Sequence, residues 1–326
     1  MSMKEYPSRE NVRFNYSVYA VIFGADETLL KIKLHDGFSF KRLSLIPHVD
    51  NLDKIFDTNN MGLRRDYETA RLDHETLDVI CAVKSETYTR SVTGSYDQYH
   101  QKSDDDLIRL DNQIRIIRLI VEAPLRFKRM ACNLSSERYL MVNDMSTVIN
   151  CNEIIPIAEA IKTNPISSFH CSEKEAEMIT SALSEIHLPL QDELLNICHG
   201  YYDLSYHTEK YISITLLITA LEILFLEKNT KGKKEILAKR CSVYLFCDEA
   251  KSVIKDNYKK IKAVYKKRSE FVHDGKVSKI TDDDILYLRE CGRNSLLKAL
   301  SLTENKKQRI ERIKNYVEQN NDIFGE

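Results

Sequence analysis

Residues 207–228 read HTEKYISITLLITALEILFLEK. At helical spacing, Tyr211, Ile212, Ile214, Leu216, Leu217, Ile218, Leu221, Ile223, Leu224 and Phe225 cover nearly the whole circumference. A helix that is apolar nearly all round belongs at the centre of a bundle. It is not a membrane span. That needs ~18–20 apolar residues, and Ile212 to Leu226 is interrupted by Ser213, Thr215, Thr219 and Glu222. A carboxylate at Glu222 is costly to bury without a partner, and Arg240 and Arg268 on neighbouring helices are the natural candidates. Two roles stand open for Glu222. One is an ion pair that sets helix register; the other is orienting a functional Arg or His.

Working outward, the pattern is helical from Pro165 onward. Ser172-x-x-Glu175 is a capping box opening a helix to about Ile186, and Pro189 begins another that ends near Gly200. Helices follow at 207–228, 233–247, 250–273, 281–302 and 306–320, punctuated by Gly232, Asp248 and Gly275. Upstream the pattern is strand-like. Asn15–Phe23, Thr28–Leu34 and Phe38–Leu45 are separated by turns at Gly24 and His35-Asp36-Gly37, which reads as a β-meander. Val79–Val83 reads as a further strand, Asp104-Asp105-Asp106 as the cap of a helix to about Glu122, and Arg126–Ile149 as short strands. The expectation is an α+β protein of two domains: a mixed, β-rich domain over 1–165 and a helical bundle over 166–326.

The N-terminus MSMKEYPSRE has no apolar core of a signal peptide, so a cytoplasmic protein is expected. The eight cysteines are scattered without CxxC spacing and read as reduced core residues. His170–Cys171 with Cys198–His199 would make a zinc site only with adjacent ligands, which is unusual. Net charge is −1 but uneven: residues 200–326 hold 25 Lys+Arg against 19 Asp+Glu, while the first 199 hold 23 against 30. A basic C-terminal half suits a polyanionic substrate, or else its lysines are simply solvated.

KKRSEFVHDGK, residues 266–276, carries the chemistry. An Arg that holds a phosphate and a His that moves a proton suffice to cleave RNA without a metal. Five helical residues rotate by ~500°, placing Arg268 and His273 ~140° apart. To reach one phosphate, either the helix ends before His273, or Arg268 uses its reach, or two copies of the motif meet across a dimer. Ser269, one turn before His273, either bonds the phosphate, holds His273 or is a surface Ser. Lys266 and Lys267 either guide an RNA backbone or form a solvated face, and Tyr265 reads as packing.

Three segments in order, ITALEILFLEK (218–228), LAKRCSVYL (237–245) and YKKRSEFVHDG (265–275), resemble the Apea-like branch of the HEPN superfamily. Ala220, Leu221, Glu222, Leu224 and Phe225 match its first motif, Arg240 its second, and Tyr265, Arg268, Ser269 and His273 its third. Asp274, between His273 and Gly275, departs from the pattern. The resemblance covers about 190–303. It implies a metal-independent, homodimeric endoribonuclease of the kind used in abortive antiviral defence or toxin systems, with Arg268 and His273 catalytic. On that reading residues 1–165 act as sensor or regulator, for example of a phage-derived trigger. The alternative is a non-catalytic HEPN nucleotide- or partner-binding module.

Overall fold

The computed structural model describes residues 11–44, 78–91, 97–136, 145–150, 169–276, 279–320 and 323–324. It has an antiparallel sheet followed by a helical bundle, the expected α+β arrangement. The described residues up to Ile186 form one compact unit, and those from His187 to Glu326 form another. The expected boundary near residue 165, like Cys151, lies outside the described residues.

The first unit contains β1 (Asn11–Val21), β2 (Phe38–Ser44), β3 (Asp78–Ser91), α1 (Asp97–Ile120), β4 (Arg129–Ser136), β5 (Met145–Asn150) and α2 (Glu173–Glu185). The strand order is β2-β3-β1-β4-β5, all antiparallel. β1 pairs with β3 from Asn11 opposite Ser91 to Val21 opposite Cys81, and β2 pairs with the other edge of β3, so β3 separates β1 from β2 and the expected meander is corrected. The expected strand Thr28–Leu34 is instead a 3₁₀ helix, Glu27–Lys31. Asp26 decides this locally: its carboxylate accepts from the Thr28 N–H, and Leu29 and Ile32, three apart, are the buried pair. α1 starts at Asp97, so Asp104–Asp106 lie inside it and cap nothing. Asp106 turns inward to an ion pair with Lys84 of β3 at 2.7 Å. α2 has the expected capping box between Ser172 and Glu175. It packs on α1 and the 3₁₀ helix, so it belongs with the sheet although its sequence reads with the bundle.

The second unit contains α3 (Glu193–Leu204), α4 (Lys210–Phe225), α5 (Lys233–Phe246), α6 (Lys251–Asp274), α7 (Asp282–Leu302) and α8 (Lys306–Gln319). α4 is the central helix and packs against each of the other five. Ile214, Leu217, Ile218, Leu221, Leu224 and Phe225 are fully buried, each such side chain contributing about 1.5–3 kcal/mol. One strip of α4 remains open: Ile212 is exposed, and Thr215, Leu216, Thr219, Glu222 and Ile223 are half-buried. Cys198, Cys241 and Cys291 are buried free thiols, as expected for core cysteines. The Cys198 thiol donates to the Ala220 carbonyl and that of Cys171 to the Thr28 carbonyl, while His170 meets Asp26. Among the described residues no group of three or more His, Cys, Asp or Glu is placed to hold a metal ion. Nor, among them, is any helix long and apolar enough to cross a membrane.

Candidate active site

α6 delivers the 266–276 motif because its buried stripe, Ile254, Ile261, Val264 and Tyr265, continues to within one turn of Arg268. Gly275 ends it in the left-handed conformation, φ 68°, which glycine adopts without a Cβ penalty. Its N–H donates to the Phe271 carbonyl at 2.9 Å, and the Lys276 N–H reaches back to that of Glu270 at 3.4 Å. Regular helix therefore runs through both Arg268 and His273. This removes the first geometric option: the helix does not end before His273, and the two side chains leave the axis ~140° apart.

His273 is exposed in the last turn and has no hydrogen-bond partner among the described residues. Its neighbour Asp274 turns away to Lys276 at 3.0 Å. Ser269 is half-buried, and among the described residues it has no side-chain partner. Arg268 is half-buried with a buried Nε that bonds to nothing among the described residues. Its guanidinium carbon stands 5.9 Å from the centroid of the Tyr265 ring.

The cations around Arg268 are neutralised. Lys266 meets Glu270 at 3.8 Å, Lys279 meets the same carboxylate at 3.0 Å, and Lys210 meets Asp282 at 2.7 Å. The bond from Lys279 holds the Glu270 carboxyl below the usual carboxylate range. Lys266 is exposed, and its surface pair is weak enough for a polyanion to displace. Lys267 is different. Its Nζ donates to both oxygens of Asp284, at 2.9 and 2.7 Å. Burial works against ionisation of Asp284, but Lys267 and the Thr281 N–H outweigh it and hold the carboxyl low. Asp284 is also the reciprocal partner of Thr281 in the capping box of α7. Lys267 thus bolts the end of α6 to the start of α7 and is committed to structure.

Glu222 is half-buried and accepts from the Tyr265 hydroxyl at 2.8 Å, not from Arg240 or Arg268. Burial first, then this bond, pushes the Tyr265 hydroxyl up to about 12. Arg240 is drawn elsewhere. No glycine caps α4, so its last carbonyls need donors. Arg240 supplies one to the Phe225 carbonyl at 2.6 Å and pairs with Glu227 at 2.8 Å. The structure thus brings Glu222, Tyr265 and Arg268 together and leaves Arg240 and Lys267 in structural roles. Tyr265 packs as expected, in the buried stripe of α6, and adds a bond to Glu222 that the packing reading did not include; its i, i+3 spacing to Arg268 was the available signal.

No family model, curated protein or solved structure matches this chain. The resemblance to the Apea-like HEPN proteins rests on the motif residues themselves.

Proposed function

We propose that this protein is a metal-independent endoribonuclease that uses Arg268 and His273. The observation that carries the reading is Arg268. It is a half-buried guanidinium whose Nε is enclosed and whose terminal nitrogens have no hydrogen bond and no carboxylate partner among the described residues, in a segment whose lysines are neutralised. A planar fork left with free donors is suited to a phosphodiester. In the reaction the substrate's 2′-oxygen attacks the adjacent phosphorus, and its bond to the 5′-oxygen breaks. One proton leaves the 2′-hydroxyl and one reaches the departing 5′-oxygen. An imidazole carries either transfer near neutral pH, and Arg268 offsets the charge on the phosphorane-like transition state. The products are a 2′,3′-cyclic phosphate and a 5′-hydroxyl. The test is cleavage of RNA by purified protein in EDTA with the ends identified. Those ends, at an undiminished rate, are expected; activity lost in EDTA and restored by Mg²⁺ overturns the mechanism. RNA binding with no cleavage leaves a non-catalytic binding module.

The active form in this reading is a twofold homodimer with the 265–275 segments facing each other. One continuous helix directs Arg268 and His273 apart, and facing copies supply both to one phosphate. Val272, 48% exposed and one turn beyond Arg268 on α6, offers apolar surface beside it. Sedimentation is expected to give a dimer, and Val272→Asp is expected to yield monomers with cleavage reduced at least tenfold. Full activity from a strict monomer at nanomolar concentration contradicts the arrangement. Residues 1–165, lacking an ordered catalytic motif, are proposed to gate the nuclease in the cytoplasm, as sensor of a trigger in antiviral defence or a toxin system.

A further inference from the structure

Where α4 gives way to Glu227 and Lys228, a cleft of about 760 Å³ opens along one side of α8. Lys228, Lys306, Lys307 and Lys314 line it. Its carboxylates are Glu227, Glu311 and Glu318. Glu227 is already engaged by Arg240 at 2.8 Å and Lys314 at 3.3 Å. Glu311 is one turn beyond Lys307, and Glu318 is about two turns further. The end formed by Lys228, Lys306 and Lys307 is therefore cationic, and among the described residues none of the three has an ion-pair partner. Lys306 is half-buried without a hydrogen bond among the described residues. Burial lowers its pKa, and the nearby Arg309 and Arg240 add to this although Cys198 and Glu227 oppose it. Such an ammonium gains by meeting an anion.

We propose that this cleft is an exosite that holds the phosphate backbone of single-stranded RNA on Lys228, Lys306 and Lys307. The proposal rests on the ribonuclease reading and adds a second anchoring point for its substrate. The cleft lies at the C-terminal end of α4, whereas Tyr211 at the other end packs on Phe271 of α6, with ring centroids 5.2 Å apart. Nearer the cleft, Glu222 of α4 accepts from Tyr265 beside Arg268 and stands five residues, ~7.5 Å along the axis, before Glu227, so a strand with one phosphate at Arg268 can place neighbouring phosphates at the cleft. The lining also favours a strand. Among the described residues it has no aromatic ring to stack a base and no Arg fork, and its cations are lysine point charges in an open groove, set toward one end away from Glu318. These meet phosphates without reading sequence.

The test uses the full chain carrying His273→Ala, so that RNA is bound and not cut. Fluorescence anisotropy with a labelled single-stranded RNA is compared with the same chain also carrying Lys228→Gln, Lys306→Gln and Lys307→Gln. Affinity at low salt is expected to fall about tenfold. The slope of log K against log salt should lessen by about 2, at ~0.7 for each phosphate that a lysine no longer neutralises. Single-stranded DNA of the same sequence should compete, while ATP or inorganic phosphate at equal phosphate concentration should not. Lys255→Gln with Lys259→Gln, exposed elsewhere on α6, is the control. If the triple variant melts early, Lys228→Gln with Lys307→Gln, both exposed, replaces it. Unchanged affinity and slope in the cleft variant, no RNA binding by the parent, or displacement by ATP as effective as by RNA overturns the exosite. A wild type that binds RNA through these lysines but never cuts it removes the nuclease reading alone. A wild type that cuts RNA, with a cleft variant that binds normally, removes the exosite alone.

Discussion

His273→Ala and Arg268→Ala are each expected to lower RNA cleavage by about 10²-fold or more, or about 2.7 kcal/mol of transition-state stabilisation. The two substitutions remove different functions. His273 is exposed and has no hydrogen-bond partner among the described residues, so its loss should leave the melting temperature unchanged. Arg268 stands over the Tyr265 ring and carries a buried Nε, so Ala there also removes some packing. Arg268→Lys keeps the charge without the fork and should not restore the rate. Lys266→Ala is the control, its Nζ lying in a displaceable surface pair with Glu270; a change of only a few-fold is expected. Initial rates on a defined RNA, with growth of a bacterial host expressing each variant, decide the matter. Wild-type rates from either well-folded variant would make the motif structural.

Asp106→Ala is expected to destabilise the first unit by about 3 kcal/mol, because removing one partner of a buried ion pair leaves the other charge uncompensated. The Asp106 side chain is 1% exposed and that of Lys84 6%, with Nζ and carboxylate 2.7 Å apart. Glu86, 3.7 Å from the same Nζ, retains some compensation. The pair joins β3 to α1, so its loss should appear in the unfolding of the sheet unit. Replacing both residues, Asp106→Leu with Lys84→Met, should recover most of the loss, since well-packed apolar side chains substitute for a buried pair at little cost. Denaturant unfolding of the two variants and the parent gives the comparison. An Asp106→Ala protein as stable as its parent would show that the pair contributes nothing.

What the sequence determined by itself is local. The capping box of Ser172 and Glu175, the glycine after Asp274 and the apolar stripes of the bundle helices act over a few residues. Helix limits in the second unit follow the pattern to within a few residues. The central place of α4 is also readable, since a helix apolar nearly all round has nowhere else to go. Thr28–Leu34 misleads because its alternation coincides with an i, i+3 pair, and the Asp26 side chain tips the balance toward a 3₁₀ turn. Strand order is not local. β3 takes the place between β1 and β2, and α2 joins the sheet rather than the bundle. Both depend on pairings between segments distant in the chain, to which local periodicity is blind. The site divides in the same way. Arg268, Ser269 and His273 share one helix, and their spacing alone sets the angle between them. Tertiary structure chose the partners: Tyr265 for Glu222, the Phe225 carbonyl and Glu227 for Arg240, and Asp284 for Lys267. These three side chains take the complementary groups that packing brings within ~3 Å, whereas Arg268 finds none among the described residues, and sequence does not record those distances.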